Sequence, residues 1–334
     1  MKTALSEKIS PNRNFRADLL PVPAILNIVN HIIDCWPEHE TYISNRFHDF
    51  DIAFESRVEV LAKLALVAIG DELDAYVADY RWMCEAFVAE EFHFRRTKSY
   101  RLSTFEAAYS EVYSRPEIMG RYVRGILISQ IIWEPHARAF DFFRTHFLGD
   151  ADEGSNYLEV GPGHGLFLYF ASLTAEIRAL EAWDVSDSSV AETRTALSRL
   201  GVTRDIKIIR QDVLDAPSCE GVFDMAVISE VLEHLERPDA ALKSLCAALR
   251  PGGRIFVNAP VNSPAPDHIY LWKSTEAFVS FFEAQGFVVE DARYFPVTGA
   301  TLETATRKAL SISCVLIGRK GYATPDPSGD SHVH

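Results

Sequence analysis

The 334-residue chain is 48% hydrophobic, enough to bury two cores. Its 33 Lys and Arg against 47 Asp and Glu give a formal charge of −14; with no basic run to neutralise phosphates, nucleic acid is not an expected partner. No apolar run reaches membrane-spanning length, and the opening Met1-Lys2-Thr3-Ala4-Leu5-Ser6 lacks an apolar signal core, so no membrane partner is expected and the cytoplasm is the expected location. The five cysteines, at 35, 84, 219, 246 and 314, show no paired spacing and read as reduced thiols inside apolar patterns.

Residues 1–20 are polar and read as loose. Pro21-Val22-Pro23 then opens a helical pattern, Ile25, Ile28, Val29, Ile32 and Ile33, which Trp36-Pro37 stops. A second helix is predicted over Phe54–Ile69, ending at Gly70. A third starts at Asp71 with Leu73, Tyr76, Val77, Tyr80, Cys84 and Phe87 on one face. The alternating, β-prone stretch Phe92–Ser103 predicts a short hairpin with Tyr100 in it. Arg115-Pro116-Glu117 opens the next helix, Pro135 breaks it after Trp133, and Ala137–Phe147 continues as a Phe-rich helix up to Gly149. The polar run Asp150–Ser155 marks a boundary. It divides the chain into a helical unit, residues 1–150, a second unit, 151–321, and a disordered Pro/Gly/Ser-rich tail, 322–334.

Past that boundary, Tyr157, Leu158 and Val160 read as a buried parallel strand. It runs into Gly161-Pro162-Gly163-His164-Gly165 and then a helix carrying Leu166, Phe167, Phe170 and Leu173. The glycines permit a sharp turn, let the backbone approach a ligand and let the helix pack on its strand. The Gly-Lys-Ser/Thr ending of a phosphate-cradling loop is absent. Later strands follow in order: Ile177–Trp183, ending in Asp184-Val185; Ile206–Ile209, followed by Gln211-Asp212-Val213; Phe223–Ile228, running into Ser229-Glu230-Val231-Leu232-Glu233-His234; and Ile255–Val257. Ser189 with Glu192 reads as a capping box, and Gly252 as the C-cap of a helix over Ala240–Leu249. Ser274 caps a last helix that Gly286 ends. Phe287–Phe295 and Leu310–Ile317 read as strands joined by a helical excursion.

This ordered set resembles the class I S-adenosylmethionine-dependent methyltransferases over roughly residues 154–320. The resemblance implies an α/β fold: a Rossmann-like seven-stranded sheet whose last two strands form an antiparallel edge, beside a mainly helical N-terminal domain that caps the substrate. It implies S-adenosylmethionine as cofactor, S-adenosylhomocysteine as product, and a small-molecule substrate. It also puts Gly161, Gly163 and Gly165 beside the cofactor's methionine part, with Glu159 near its amino group. Asp184-Val185 would meet the ribose, Asp212-Val213 the adenine, and Ser229-Glu230 the sulfonium. Helix, hairpin, helix is also similar to the winged-helix-like N-terminal domain of small-molecule O-methyltransferases, through which a homodimer would form.

Candidate catalytic residues lie on the loops at the strand ends, where open α/β sheets bind ligands. If a helical turn follows Ser229, Glu230 and His234 share a face with Glu233 adjacent, and His268 comes from the loop Pro266-Asp267-His268-Ile269-Tyr270. Three readings stay open for these residues. His234 or His268 is a general base; or Glu230, Glu233, His234 and His268 ligate a divalent metal, as their pattern resembles the metal site of small-RNA 3′-end methyltransferases; or the histidines are structural. The metal-free reading is preferred. Trp133, His136, Tyr270 and Trp272 are the candidate substrate lid, against simple packing as the alternative for Trp133 and His136. The expected function is O- or N-methylation of a small, specialised metabolite. The alternatives are a protein or carrier-protein-bound acceptor, which needs a basic patch at the cleft mouth, and a cofactor-binding protein without transferase activity.

Overall fold

The computed structural model describes residues 15–215 and 220–321. Residues 1–14, Cys219 and the tail over 322–334 therefore lie outside the described residues. The N-terminal part is helical throughout: α1 Phe15–Asp18, α2 Pro23–Cys35, α3 Glu40–Arg46, α4 Ile52–Ile69, α5 Leu73–Thr97, α6 Phe105–Ala108, α7 Pro116–Ile132 and α8 Glu134–Phe142. The break between α7 and α8 falls at Trp133, two residues before Pro135, whose ring cannot sit inside a continuous helix. No helix among the described residues is long and apolar enough to cross a membrane.

The sheet has seven strands: β1 Ser155–Val160, β2 Ile177–Asp184, β3 Lys207–Arg210, β4 Phe223–Ser229, β5 Leu249–Val261, β6 Phe287–Pro296 and β7 Ile312–Lys320. Their order is β3-β2-β1-β4-β5-β7-β6, with β7 alone antiparallel to its neighbours. Between them run α9 Leu166–Leu173, α10 Asp187–Arg199, α11 Pro238–Ala248, α12 Thr275–Glu283 and α13 Leu302–Lys308. Strand order reverses at β1, which pairs with β2 on one side and β4 on the other. That is the crevice position where ligands bind open α/β sheets. Register sharpens the point. Val160 lies beside both Trp183 and Ile228, so Gly161, Asp184 and Ser229 come to one edge together.

Alternation along the strands builds two cores. Leu158, Val160, Ile255 and Val257 face α11 and α12. Tyr157, Met225 and Phe256 face the other way, into a cluster continuous with α2, α4, α5, α7 and α8. Phe143 joins the helices to that face: its ring lies 4.5 Å from Phe167 and 5.4 Å from Phe256. Each such aromatic buries on the order of 150–250 Å², so the helical layer is fixed to the sheet by its largest apolar side chains. Glu59 closes the start of α2, accepting from the Ala24 and Ile25 amides at 3.0 Å.

Three sequence expectations need correction. Phe92–Ser103 is no hairpin, because α5 runs on to Thr97. Phe94 extends the buried stripe one heptad beyond Phe87, Glu91 pairs with Arg95 at 2.6 Å, and Lys98 ends the helix with φ 60°. The apparent alternation of Phe92 and Phe94 is an exposed and a buried position of one helix, and without a wing the winged-helix likeness falls away. The cap of α10 is Ser186, whose side chain accepts from the Ser189 amide, and not Ser189 itself. Finally, α11 passes straight into β5 through an extended Leu249, leaving Gly252 within the strand's early bulge.

Candidate active site

The glycine turn after β1 opens onto a cavity of about 1680 Å³. Gly161, Gly163 and Gly165 all have positive φ, 71°, 47° and 75°, which L side chains adopt only with strain. Their surroundings separate their roles. A Cβ on Gly163 would meet nothing closer than 4.0 Å, so its backbone faces open cavity, and Thr193 Oγ1 holds its carbonyl at 2.7 Å. A Cβ on Gly165 would instead press on the Thr193 carbonyl at 3.4 Å and on Leu197. This glycine lets α9 approach α10 and does not line the cavity, which corrects its expected place beside a ligand.

The other strand-end residues line the cavity as the register requires: Glu159, Asp184, Val185, Asp212, Val213, Ser229 and Glu230. Asp184 Oδ1 accepts from the Ser186 amide at 2.8 Å, and Oδ2 from the Ser189 hydroxyl at 2.6 Å. Burial raises its pKa against those bonds. Asp212 turns its own loop by accepting from the Leu214 amide at 2.9 Å. Glu159 is buried with only the Tyr157 hydroxyl on it, at 2.9 Å, and burial pushes its carboxyl up to about 8. These are acceptors at three strand ends around an open glycine backbone. They fit a cationic amino acid joined to a ribose and a base, which is the shape of S-adenosylmethionine. Asp184→Ala is expected to weaken that cofactor by about 1.5–3 kcal/mol, the range for a charge-assisted hydrogen bond; unchanged affinity by calorimetry would remove Asp184 from the site.

Beyond the cradle, the turn after β4 is a short 3-10 segment, Leu232–His234, and Glu230 stands at φ 54°, in the region a non-glycine residue occupies only when its surroundings force it. Ligating atoms of Glu233, His234 and His268 lie within 4.8 Å of one another. Glu230, expected in this group, is not part of it but is its half-buried neighbour. Burial raises the carboxyl of Glu230 to about 7 and that of Glu233 well above the carboxylate range, with the facing Glu230 adding to the latter. Among the described residues, neither Glu233 oxygen has a hydrogen-bond partner. Both imidazoles are held by the other ring nitrogen: His268 Nδ1 lies 2.6 Å from the Ser263 carbonyl, and His234 Nδ1 3.2 Å from the Asp267 carbonyl and 3.3 Å from its carboxylate. If each Nδ1 carries the proton, both Nε2 atoms present lone pairs near Glu233, at 3.9 and 3.6 Å.

Asp267 is the residue that sequence reading passed over. Fully buried, it accepts from the Tyr113 hydroxyl at 2.9 Å and the Tyr122 hydroxyl at 3.4 Å while holding His234. Its signal was its place beside His268, but its tyrosines lie about 150 residues earlier in the chain and no local pattern links them. Trp133 and His136 do line the cavity. Tyr270 and Trp272 do not, which corrects that pair. Trp272 is buried against Phe278 and Phe281 with the Tyr270 ring tilted beside it at 4.6 Å, on the far side of the sheet.

Comparison with known proteins agrees with this geometry. Residues 134–292 match the family model described as a methyltransferase domain. The chain is similar to the ubiquinone/menaquinone biosynthesis C-methyltransferase UbiE of Haemophilus ducreyi, 29% identical over 144 residues, covering 43% of this chain and 55% of that protein. It is also similar to the ubiquinone biosynthesis O-methyltransferase of Xanthomonas euvesicatoria pv. vesicatoria, 32% identical over 114 residues, covering 34% and 46%. The chain thus spans about half the length of these curated relatives. Among solved structures it is similar to a SAM dependent methyltransferase from Aquifex aeolicus, at 17% identity and a TM-score of 0.44, covering 61% of this chain and 98% of that one. The strand order, the glycine turn and the acids at successive strand ends are thus those of a methyltransferase domain, which residues 134–292 match.

Proposed function

We propose that the protein transfers a methyl group to the hydroxyl of a small molecule, with His234 as general base. One observation carries this reading: the cofactor cradle and the Asp267–His234 pair line the same cavity. When bound, S-adenosylmethionine supplies an electrophilic methyl group, and the chain's residues bind, orient and move the proton. Asp267, itself fixed by two tyrosine hydroxyls, holds His234 Nδ1–H so that Nε2 can accept the acceptor's proton. With its proton passed to His234, the acceptor oxygen would be free to bond the methyl carbon that a bound cofactor supplies as it leaves as a neutral thioether. His268, pushed down to about 3 by burial, stays neutral. The N-terminal helices would cap the acceptor. Turnover of labelled cofactor with a pool of small hydroxylated molecules tests the proposal; cofactor binding without any labelled product would favour a binding protein instead.

A second reading follows from the orphaned Glu233 oxygens. With Glu233 ionised, three lone-pair groups would converge there, an arrangement that suits a divalent cation held by Glu233, His234 and His268, with the Nδ1 partners as outer support. Such an ion would lower the acceptor hydroxyl's pKa. Under this reading a chelator abolishes turnover and a divalent metal restores it, whereas a metal-free base is indifferent to both.

Cofactor binding should also release a proton. Glu159 is mostly neutral below about pH 8 in the free protein, and an ammonium placed beside it favours its carboxylate. Affinity is therefore expected to rise with pH up to about 8 and then level off. At pH 7, calorimetry in buffers of different ionisation enthalpy should report a proton given up. The same shift makes the free protein lose stability as pH rises from the ordinary carboxyl range through 8, since the unfolded chain ionises Glu159 first. Heat independent of buffer would remove the acid from the amino group's site.

A further inference from the structure

The cavity wall facing the strand ends comes from residues that precede the family match, which begins at 134. Trp36, His39 and Tyr42 form a stack of three rings there, centroids 4.0 and 4.8 Å apart and planes within 9° and 19°. Phe87 and Trp133 continue the wall at 5.4 Å, edge to face.

Three polar atoms of these rings are bonded within the protein. Trp133 Nε1–H donates to the Tyr80 hydroxyl at 3.0 Å, His39 Nε2 lies 3.0 Å from the same oxygen, and Tyr42 donates to the Thr298 hydroxyl at 3.0 Å. What remains toward the cavity is ring face. Burial holds His39 near 4 and His136 near 3, so neither imidazole is cationic at neutral pH. The cations among the lining residues, Arg95, Lys98, Arg237, Arg307 and Lys308, are all exposed to solvent; Arg95 pairs with Glu91 at 2.6 Å and Arg237 with Asp239 at 2.9 Å. An anionic acceptor held against these rings would lose its hydration with no buried cation beside it.

The chamber also abuts the reacting groups. Phe87 lies edge-on to His268 at 6.5 Å and parallel to Tyr122 at 6.4 Å, and Tyr122 is the residue whose hydroxyl reaches Asp267. A ring lying along Phe87 would thus bring a substituent to His234. The volume allows for it, since a ligand pocket of roughly 300–1,000 Å³ is well below the 1680 Å³ available to cofactor and acceptor together.

We infer that this chamber is the acceptor site and that it selects a planar, ring-bearing molecule without an anionic group, rejecting carboxylated or phosphorylated compounds and saturated ones of equal size. Only the placement of the hydroxyl at His234 rests on the proposed transferase reading.

The test is calorimetric titration of the full chain, saturated with S-adenosylhomocysteine, with three probes of one carbon skeleton: 2-naphthol, 6-hydroxy-2-naphthoate and decahydro-2-naphthol. 2-Naphthol is expected to bind at least about tenfold tighter than either of the others, through ring stacking and without a desolvated charge. Trp36→Leu and, independently, Phe87→Leu should each weaken 2-naphthol about tenfold and leave S-adenosylhomocysteine affinity within about twofold. Equal or tighter binding of the carboxylate, equal binding of the saturated alcohol, or no binding of any probe would each overturn the inference. Loss of S-adenosylhomocysteine binding with 2-naphthol still bound would instead sink the transferase reading and leave the chamber standing.

Discussion

Replacing His234 by Ala should lower kcat by about 10²–10⁴, the range for losing a positioned general base, while cofactor affinity stays near the parent value. Asp267→Asn keeps the shape of the site but weakens the group that holds Nδ1–H, so kcat should fall by about 10–100-fold. Tyr113→Phe should fall less, because Tyr122 still reaches Asp267. A purely structural Asp267 would instead lower the melting temperature and leave the pH profile unmoved. For this reason the readout is the pH dependence of kcat, which a positioning role for Asp267 should change in Asp267→Asn and a structural role should not. His268→Ala decides between the two readings of the site. A metal-free base at His234 predicts a modest loss on replacing His268, whereas a shared metal predicts comparable losses for either histidine, together with loss on chelation. Full turnover by His234→Ala at every pH would sink both.

The sheet and its ligand edge were legible because each depends on short-range patterns. Tyr157-Leu158-Glu159-Val160 runs directly into a glycine turn, and Asp184, Asp212 and Ser229-Glu230 each end an apolar run. What escaped was whatever depended on a distant partner. Asp267 looks like an ordinary loop acid until Tyr113 and Tyr122 reach it from the helical layer. Tyr270 and Trp272 follow a catalytic loop in sequence, yet the chain has by then turned behind the sheet, where Phe278 and Phe281 cover them. Phe92–Ser103 misled in a different way. Alternating Phe92, Phe94 and polar residues mimic a strand, but the apolar stripe entering from Leu73 had already committed the segment to a helix, and Phe94 lands on its buried face. Within the glycine turn, sequence assigned three jobs to three residues as a set; only the neighbours of each Cβ position could distribute them.

Gly161→Ala is the substitution expected to damage both fold and cofactor site most. Its added Cβ would stand 2.5 Å from Val231 Cγ2, a contact that real side chains do not make, on a backbone at φ 71°. Relieving the overlap costs about 1–3 kcal/mol, and holding an alanine in the left-handed region costs roughly 1–2 kcal/mol more. Val231 cannot simply rotate away, being β-branched and part of the same turn as the strained Glu230. The chain would have to move the turn instead, and with it the Gly161 amide that donates to the Trp183 carbonyl at 2.8 Å. A fall in melting temperature of several degrees is therefore expected, with cofactor affinity reduced at temperatures where the variant is still folded. The double variant Gly161→Ala, Val231→Ala separates the two causes. It should recover the steric part, roughly half of the loss, and leave the conformational part in place. A single variant as stable as the parent, with unchanged cofactor affinity, would mean that the turn is more adaptable than its contacts indicate; a double variant no better than the single would place the whole cost in the backbone.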